Sequence, residues 1–355
     1  MNHTSSGSTT RRRLLQASGL AIAGISGISG HSLAQTAAQD KLTIAIIGDG
    51  RTGTWASLRA GANGRNLEKE LGTPVVFQQG FTASLPVMEA IKAGGVDFTF
   101  ATATAVANAV GAGVPIVPLA AFALPVNTVD LLVRTDSPIR TAADLKGKKI
   151  AHQNGTTGTY SLIKYLETAG LRLSDVQAVS LSGADAYTAF AQGSVDAWIH
   201  WQHAAALAQA RLGDRVRALP NVKTYDYAFY VARTAAAEKS PKTVAKLVRV
   251  IRDTQIHINK HPAETVALWA SLGGFDINSQ ERRVFEKLIT DVRLSESTAT
   301  QLRPVDAAAA AATQDLADNF HALGVLPRRI DVTSFLLNPK FDAIKRSVTA
   351  ELAGA

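Results

Sequence analysis

From residue 41 onward, short apolar runs alternate with stretches that read as helices closed by glycine. Residues 42–47 are rich in isoleucine and short enough for a strand buried on both faces of a parallel sheet. A glycine-rich loop and a helix ending near Gly72 follow, and residues 74–78 read as a second strand. Residues 84–93 form a helical stretch stopped by Gly94 and Gly95, and residues 96–101 a third strand. This alternation predicts an α/β fold with helices on both faces of the sheet. Residues 88–101 (MEAIKAGGVDFTFA) are echoed by residues 187–200 (YTAFAQGSVDAWIH). In each, a helix ends in glycine and Val-Asp leads into a strand, with Gly95, Val96 and Asp97 set against Gly193 (one place offset), Val195 and Asp196. The echo predicts two similar α/β lobes.

At 355 residues the chain is long enough for two domains of ordinary size. It has no cysteine, which excludes a disulfide framework, a thiolate metal site, a cysteine nucleophile and a lipid anchor on cysteine. Arg11, Arg12 and Arg13 contribute three of the formal net +8, and the rest of the excess is spread thinly. With no long basic run, the charge reads as a solvated surface and not as a nucleic-acid footprint. Thr10-Arg11-Arg12-Arg13-Leu14-Leu15 resembles a twin-arginine export signal. The apolar stretch after it is too short and too polar to span a bilayer, and Ser32-Leu33-Ala34 offers a small-x-small cleavage site. Residues 1–34 are therefore expected to be a signal removed near Ala34, leaving a periplasmic product with no membrane span.

The most specific stretch runs from Asp136-Ser137-Pro138-Ile139 through Asp144-Leu145-Lys146-Gly147-Lys148-Lys149-Ile150. Thr141 is placed to cap a short helix that Gly147 ends, and Lys148 begins a strand. After Asn154-Gly155-Thr156-Thr157-Gly158-Thr159-Tyr160, a helix with Leu162, Tyr165, Leu166 and Ala169 on one face runs to Gly170. These segments, with residues 183–201, Tyr227-Ala228-Phe229-Tyr230-Val231-Ala232 and residues 320–327, resemble the periplasmic binding components of sulfonate, taurine and nitrate importers, most of all the aliphatic-sulfonate group. The likeness extends over nearly all of the chain after the signal. It implies a two-lobed periplasmic binding protein fold (type II), each lobe a mixed sheet flanked by helices, joined by two crossover strands near 124–131 and 225–231. Lobe one would hold residues 40–125 and 232–325, lobe two 130–225, and residues 326–355 would pack back on the body. It further implies a small anionic solute, an organosulfonate above all, an ABC permease with its ATPase as partner, and a monomer.

In an open α/β sheet, ligands sit beyond the carboxyl ends of the strands, where helix starts offer N–H groups to an anion. Thr156, Thr157 and Thr159, with the backbone of Gly155 and Gly158, are the first candidates, against the alternative that the threonines only cap their helix. Opposite them stands the loop Gly48-Asp49-Gly50-Arg51-Thr52-Gly53-Thr54-Trp55, in which Arg51 could supply a cation and Trp55 a wall. Its glycines match G-x-G-x-x-G, but the second strand ends in Gln78-Gln79 where a ribose-binding acid is wanted, and no cofactor is expected. Thr102, Thr104, Ser182, Trp198, His200, Trp201 and Tyr227 complete the candidate set, and Asp226 could touch the ligand or the hinge.

The sulfonate binders commonly carry Trp-Asp-Pro-Tyr where this chain has Trp201-Gln202-His203-Ala204, and Thr-Gly-Glu where it has Ala101-Thr102-Ala103. Loss of both acids argues against an amine-bearing ligand and leaves room for a bulkier aromatic acid. Desulfinases and pyrimidine-precursor synthases share the fold, but the chain has no cysteine nucleophile and no histidine–carboxylate cluster in sequence for a metal. A solute sensor without a transporter is the remaining alternative. Changing Arg11 and Arg12 to lysine should block export, measured by fractionating the periplasm; unaffected export would point to the general secretory route.

Overall fold

The computed structural model describes residues 41–124, 129–220, 226–297 and 300–354. The export signal with its cleavage point lies outside the described residues, as do residues 125–128 and 221–225 of the predicted crossings and the side chains of Gln202 and His203. The first sheet contains β1 (Leu42–Ile47), β2 (Val75–Phe81), β3 (Phe98–Thr102) and β4 (Ile116–Ala123). The second contains β5 (Val129–Arg134), β6 (Lys149–His152), β7 (Gln177–Ser180), β8 (Ala197–Trp201) and β9 (Val216–Ala218). β10 (Tyr227–Arg233) and β11 (Arg303–Pro304) then return to the first. The orders are β11-β4-β10-β3-β1-β2 and β7-β6-β8-β5-β9.

The two sheets share one plan. β1 is parallel to β2 and β3, and β6 is parallel to β7 and β8. Each trio is bordered by an antiparallel strand, β10 beside β3 and β5 beside β8. Both antiparallel strands are the points of arrival, β5 just after the chain leaves the first sheet and β10 just after it comes back. The result is the two-lobed α/β arrangement with mixed sheets that the sequence predicts.

The repeat has a hydrogen-bonding basis. Thr43 N donates to the Asp97 carboxylate at 3.0 Å while Asp97 N donates to Thr43 O at 2.8 Å. Lys149 N donates to the Asp196 carboxylate at 2.8 Å and Asp196 N to Lys149 O at 2.8 Å. In both lobes the aspartate thus locks the start of the third strand to the start of the central one. The register is in step throughout: Gly94 and Gly193, with φ of 81° and 78°, each precede the aspartate by three residues. The offset drawn from Gly95 is corrected, because Gly94 is the residue in the left-handed region.

Two local expectations also change. The helix between β1 and Gly72 is two helices, Gly53–Arg59 and Leu67–Leu71, separated by left-handed Gly61 and Gly64. Thr141 does not cap: the Asp144 carboxylate reaches back to accept from Arg140 N and Thr141 N, both at 2.9 Å, and closes a single turn at Ala143–Leu145. Apolar clusters cover both faces of each sheet. The helix Pro241–Lys260 buries Val244, Leu247, Val248 and Ile251 on the first sheet, and Phe341, Ile344 and Val348 of the C-terminal segment enter the same cluster.

Asp97 also accepts from Arg233, which is 27% exposed, whereas Asp196 has no ion-pair partner among the described residues. Asp97→Ala leaves a half-buried guanidinium and a strand N–H unmet and should cost about 3 kcal/mol; Asp196→Ala should cost about 1 kcal/mol. Urea unfolding of both variants measures the difference.

Candidate binding cleft

At the carboxyl ends of the parallel strands, helices start at Gly53, Ser84, Ala103 and Thr157. Their N-cap residues Thr52, Ala83, Thr102 and Thr156 are extended, and none makes a side-chain cap bond. At the same edge, after β7, Ser182 does cap its helix by accepting from Asp185 N. Between the lobes lies a cavity of about 450 Å³, within the range of small-molecule sites. Thr52, Gly53, Thr54, Trp55 and Thr102 line it from the first lobe, and Thr156, Thr157 and Trp201 from the second. Among the described residues that line it, only Tyr230 is ionisable, and burial pushes that phenol upward, so it is neutral.

The threonine hydroxyls are committed within the protein. Thr156 Oγ1 donates to Gln153 O at 2.7 Å, Thr157 Oγ1 to Asp226 Oδ2 at 2.6 Å, and Thr159 Oγ1 to Gln153 O at 2.8 Å. Neither the donor role expected of them nor the capping alternative describes them. What the helix start at Thr157 leaves toward the cavity is main-chain N–H. Thr159 is fully buried, its hydroxyl 3.0 Å from His152 Nδ1, and burial lowers the His152 pKa.

The other predicted residues stand behind or outside the cavity. Arg51 is 59% exposed, 4.0 Å from Asp49, and lines a separate outer recess. Thr104 is buried beneath Thr102, their hydroxyls 2.7 Å apart. Gly155, with φ of 68°, lies where a Cβ would come within 2.9 Å of Leu85 Cδ1, so it is a point of close approach between the lobes. Gly158 packs against Ile199 O, and Ser182 is occupied with Asp185. Trp198 belongs to the second lobe's core with Phe190. His200 is buried between Trp198 and Trp201, with Gly183 pressed on its Nε2. Tyr227 packs on the core beside the first sheet.

Residues the sequence reasoning missed supply most of the wall. Phe100, Phe122 and Tyr230 project from neighbouring strands on one face, with Tyr230 opposite Phe100 in register. Trp55 meets Tyr230 edge-on at 6.2 Å. Ile46, Ile47, Ser84, Gln255 and Leu294 complete the enclosure. An aromatic in a strand reads as core, and only the joint register of β3, β4 and β10 reveals the shared face.

Asp226 is the knot at the centre. It is 2% exposed, and its carboxylate accepts from Thr157 Oγ1, Tyr227 N at 2.7 Å and Ala103 N. Its carbonyl accepts from Leu124 N at 2.9 Å. One residue thus joins a helix start of each lobe to both passages between the sheets. Desolvation raises its pKa to about 6 despite the three donors.

The NMT1/THI5-like family profile matches residues 69–265, more than half of the chain, and the chain belongs to that family. Among solved structures it is similar to the periplasmic aliphatic sulphonate binding protein SsuA from Escherichia coli, 28% identical, covering 82% of this chain and 90% of that one with a TM-score of 0.68. It is similar also to the alkanesulfonate-binding protein SsuA from Xanthomonas axonopodis pv. citri bound to MOPS, 26% identical, covering 82% and 96% with a TM-score of 0.70. The desulfurization enzyme DSZB shares the fold at 16% identity and a TM-score of 0.57, covering 88% and 99%. Among the described residues no helix is long and apolar enough to cross a membrane.

Between its unfolded pKa near 4 and about 6, Asp226 holds a proton in the folded protein that the unfolded chain releases, so its contribution to stability falls as pH rises through this window. The stability of wild type relative to Asp226→Asn should therefore drop by about 2 kcal/mol from pH 4 to pH 7. Urea unfolding at both pH values measures this; an unchanged difference would mean the carboxyl titrates as in an exposed aspartate.

Proposed function

We propose that this chain is the periplasmic solute-binding component of an ABC importer, and that it holds the head group of an organic sulfonate in the cleft between its lobes. The observation that carries the reading is the helix starts at Ser84 and Thr157, one from each lobe, uncapped by side chains and opening on one cavity. A sulfonate accepts several hydrogen bonds at once, and partly buried helix starts favour negative charge by up to about 2 kcal/mol each. The likeness to the two SsuA structures supports the same ligand class and the same compartment. Delivery would be to a permease with its ATPase, after export by the twin-arginine route. The donors in this reading are chiefly backbone N–H groups, since the hydroxyls of Thr156 and Thr157 bond elsewhere.

A ligand at a hundred times its Kd should stabilise the protein by about 2.7 kcal/mol, visible as a rise in Tm. Alkanesulfonates should produce it; no shift at millimolar concentration with sulfonates, sulfate esters or nitrate would end the proposal. Proline is tolerated at the first position of a helix, so Ser84→Pro removes one N–H without breaking the helix. It should weaken sulfonate binding about tenfold, the loss of one charge-assisted hydrogen bond. Ser84→Ala, which keeps the N–H, should stay within about threefold, because a neutral hydroxyl contributes less.

A further inference from the structure

We propose that the ligand is an arenesulfonate, an anion with a flat aromatic body and no ammonium group, and that Leu294 and Gln255 set the length of that body. This rests on the reading of the cleft as a sulfonate site and adds the class of molecule that fills it.

The cavity is far larger than a head group. At about 450 Å³ it has room for about fifteen waters at ~30 Å³ each, and a sulfonate accounts for only a few of these. The remaining wall is apolar, with five aromatic rings set among aliphatic residues such as Ile46, Ile47, Leu124 and Val129. Trp55, Phe100, Phe122 and Tyr230 form a continuous cluster, with Phe100 edge-on to Tyr230 at 6.0 Å and Phe122 at 6.3 Å from the same ring. Trp201 adds an indole from the other lobe. Rings arranged at these spacings accept another ring by stacking or edge contact.

Charge argues against the amine. Among the described residues no acid lines the cavity. The nearest buried carboxylate, Asp226, already accepts from Thr157 Oγ1, Tyr227 N and Ala103 N. An ammonium brought here would lose its hydration with no carboxylate free to meet it, and rings and neutral hydroxyls offset only part of that loss.

The far end is closed by side chains that are themselves pinned. Gln255 Nε2 donates to Tyr230 OH at 3.1 Å and its Oε1 accepts from Ser295 Oγ. Leu294 stands between Arg293 and Ser295, both left-handed with φ of 45° and 65°, and its carbonyl accepts from Asn259 Nδ2 at 2.7 Å. Gln255 and Leu294 also line a second, largely apolar recess of about 320 Å³ that runs among Ile258, Trp269 and Phe285. With Thr52, Gly53 and Thr54, which also line both, they form the wall between the two spaces.

Titration calorimetry of the purified chain should compare methanesulfonate, ethanesulfonate, taurine, naphthalene-2-sulfonate, biphenyl-4-sulfonate and naphthalene-2-carboxylate. Each further buried carbon is worth about fourfold (~0.8 kcal/mol), so naphthalene-2-sulfonate should bind at least about a hundredfold tighter than methanesulfonate. Taurine should bind at least about tenfold weaker than ethanesulfonate, since its ammonium finds no free carboxylate. Trp55→Ala should lower naphthalene-2-sulfonate affinity about tenfold and leave methanesulfonate within about threefold. Leu294→Ala should improve biphenyl-4-sulfonate relative to naphthalene-2-sulfonate by about tenfold as the second recess opens. Methanesulfonate or taurine binding as tightly as naphthalene-2-sulfonate would overturn the arene class and leave the sulfonate site standing. Tight binding of the carboxylate alone would uphold the aromatic body and overturn the sulfonate head. Failure of every sulfonate and of the carboxylate would remove both readings. The ligand series needs no variant, so a variant that folds poorly leaves the main comparison intact.

Discussion

Strands that run parallel finish at the same edge, and the helices that follow them must begin there. That geometric constraint places the starts at Gly53, Ser84, Ala103 and Thr157 around one space. Each helix start leaves backbone N–H groups without intrahelical partners. Ala83 has no side chain able to cap, and Thr156 turns its hydroxyl to Gln153 O instead. The unmet donors are thus a property of the fold's edge, and the few residues that could have silenced them do not. The same edge carries the strand ends from which Phe100 and Phe122 project, so donors and rings share one chamber.

Asp226 is the exception that shapes the rest. Its carboxylate takes up the helix start at Ala103 and the Thr157 hydroxyl, leaving the main-chain N–H groups at Ser84 and Thr157 for a solute. Burying this acid is unfavourable, as its pKa of about 6 attests, yet it ties both passages between the sheets to a helix of each lobe. An anion bound nearby would oppose its ionisation further and raise that pKa. In the proposed reading, the bound anion and the passages between the sheets are therefore coupled electrostatically through this one side chain.

Much of this fold is legible in the sequence because its signals are local. An unbroken apolar run marks β1 at both ends, and glycine followed by Val-Asp marks the third strand of each lobe. The site is legible only in part, because what matters there is where hydroxyls and rings point. Thr52, Thr54, Trp55, Thr102, Thr156, Thr157 and Trp201 are found from their place after strands. Arg51 fails because left-handed Gly50 and Gly53 on either side turn its loop outward toward Asp49. Trp198 and His200 share a strand face that is covered by the helix Gly183–Ala191, and alternation along β8 leaves Trp201 as the residue reaching the cleft. Gln255 and Leu294 come from helical and turn segments remote in sequence, where no motif announces a ligand.

Among the described residues no cation lines the chamber, and in the proposed reading an anion is held there differently from one held by arginine. A few charge-assisted hydrogen bonds, each worth about 1.5–3 kcal/mol, must offset the dehydration of the head group and supply little surplus. The surplus then comes from the apolar body against the rings, so the wall, and not the head-group contacts, decides which solute is held. The lobes touch through polar contacts, among them Gln153 Nε2 to Thr82 O at 3.2 Å, Lys164 to Asn319 at 3.1 Å and the pair Arg211–Glu281, and through Tyr160 and Ile163, which bury into the first lobe's cluster with Tyr160 edge-on to Phe320 at 5.7 Å. An exposed ion pair contributes about 0–1 kcal/mol. In the proposed reading, a solute that bridges the Ser84 and Thr157 helix starts while filling the aromatic chamber adds to that adhesion from both sides at once.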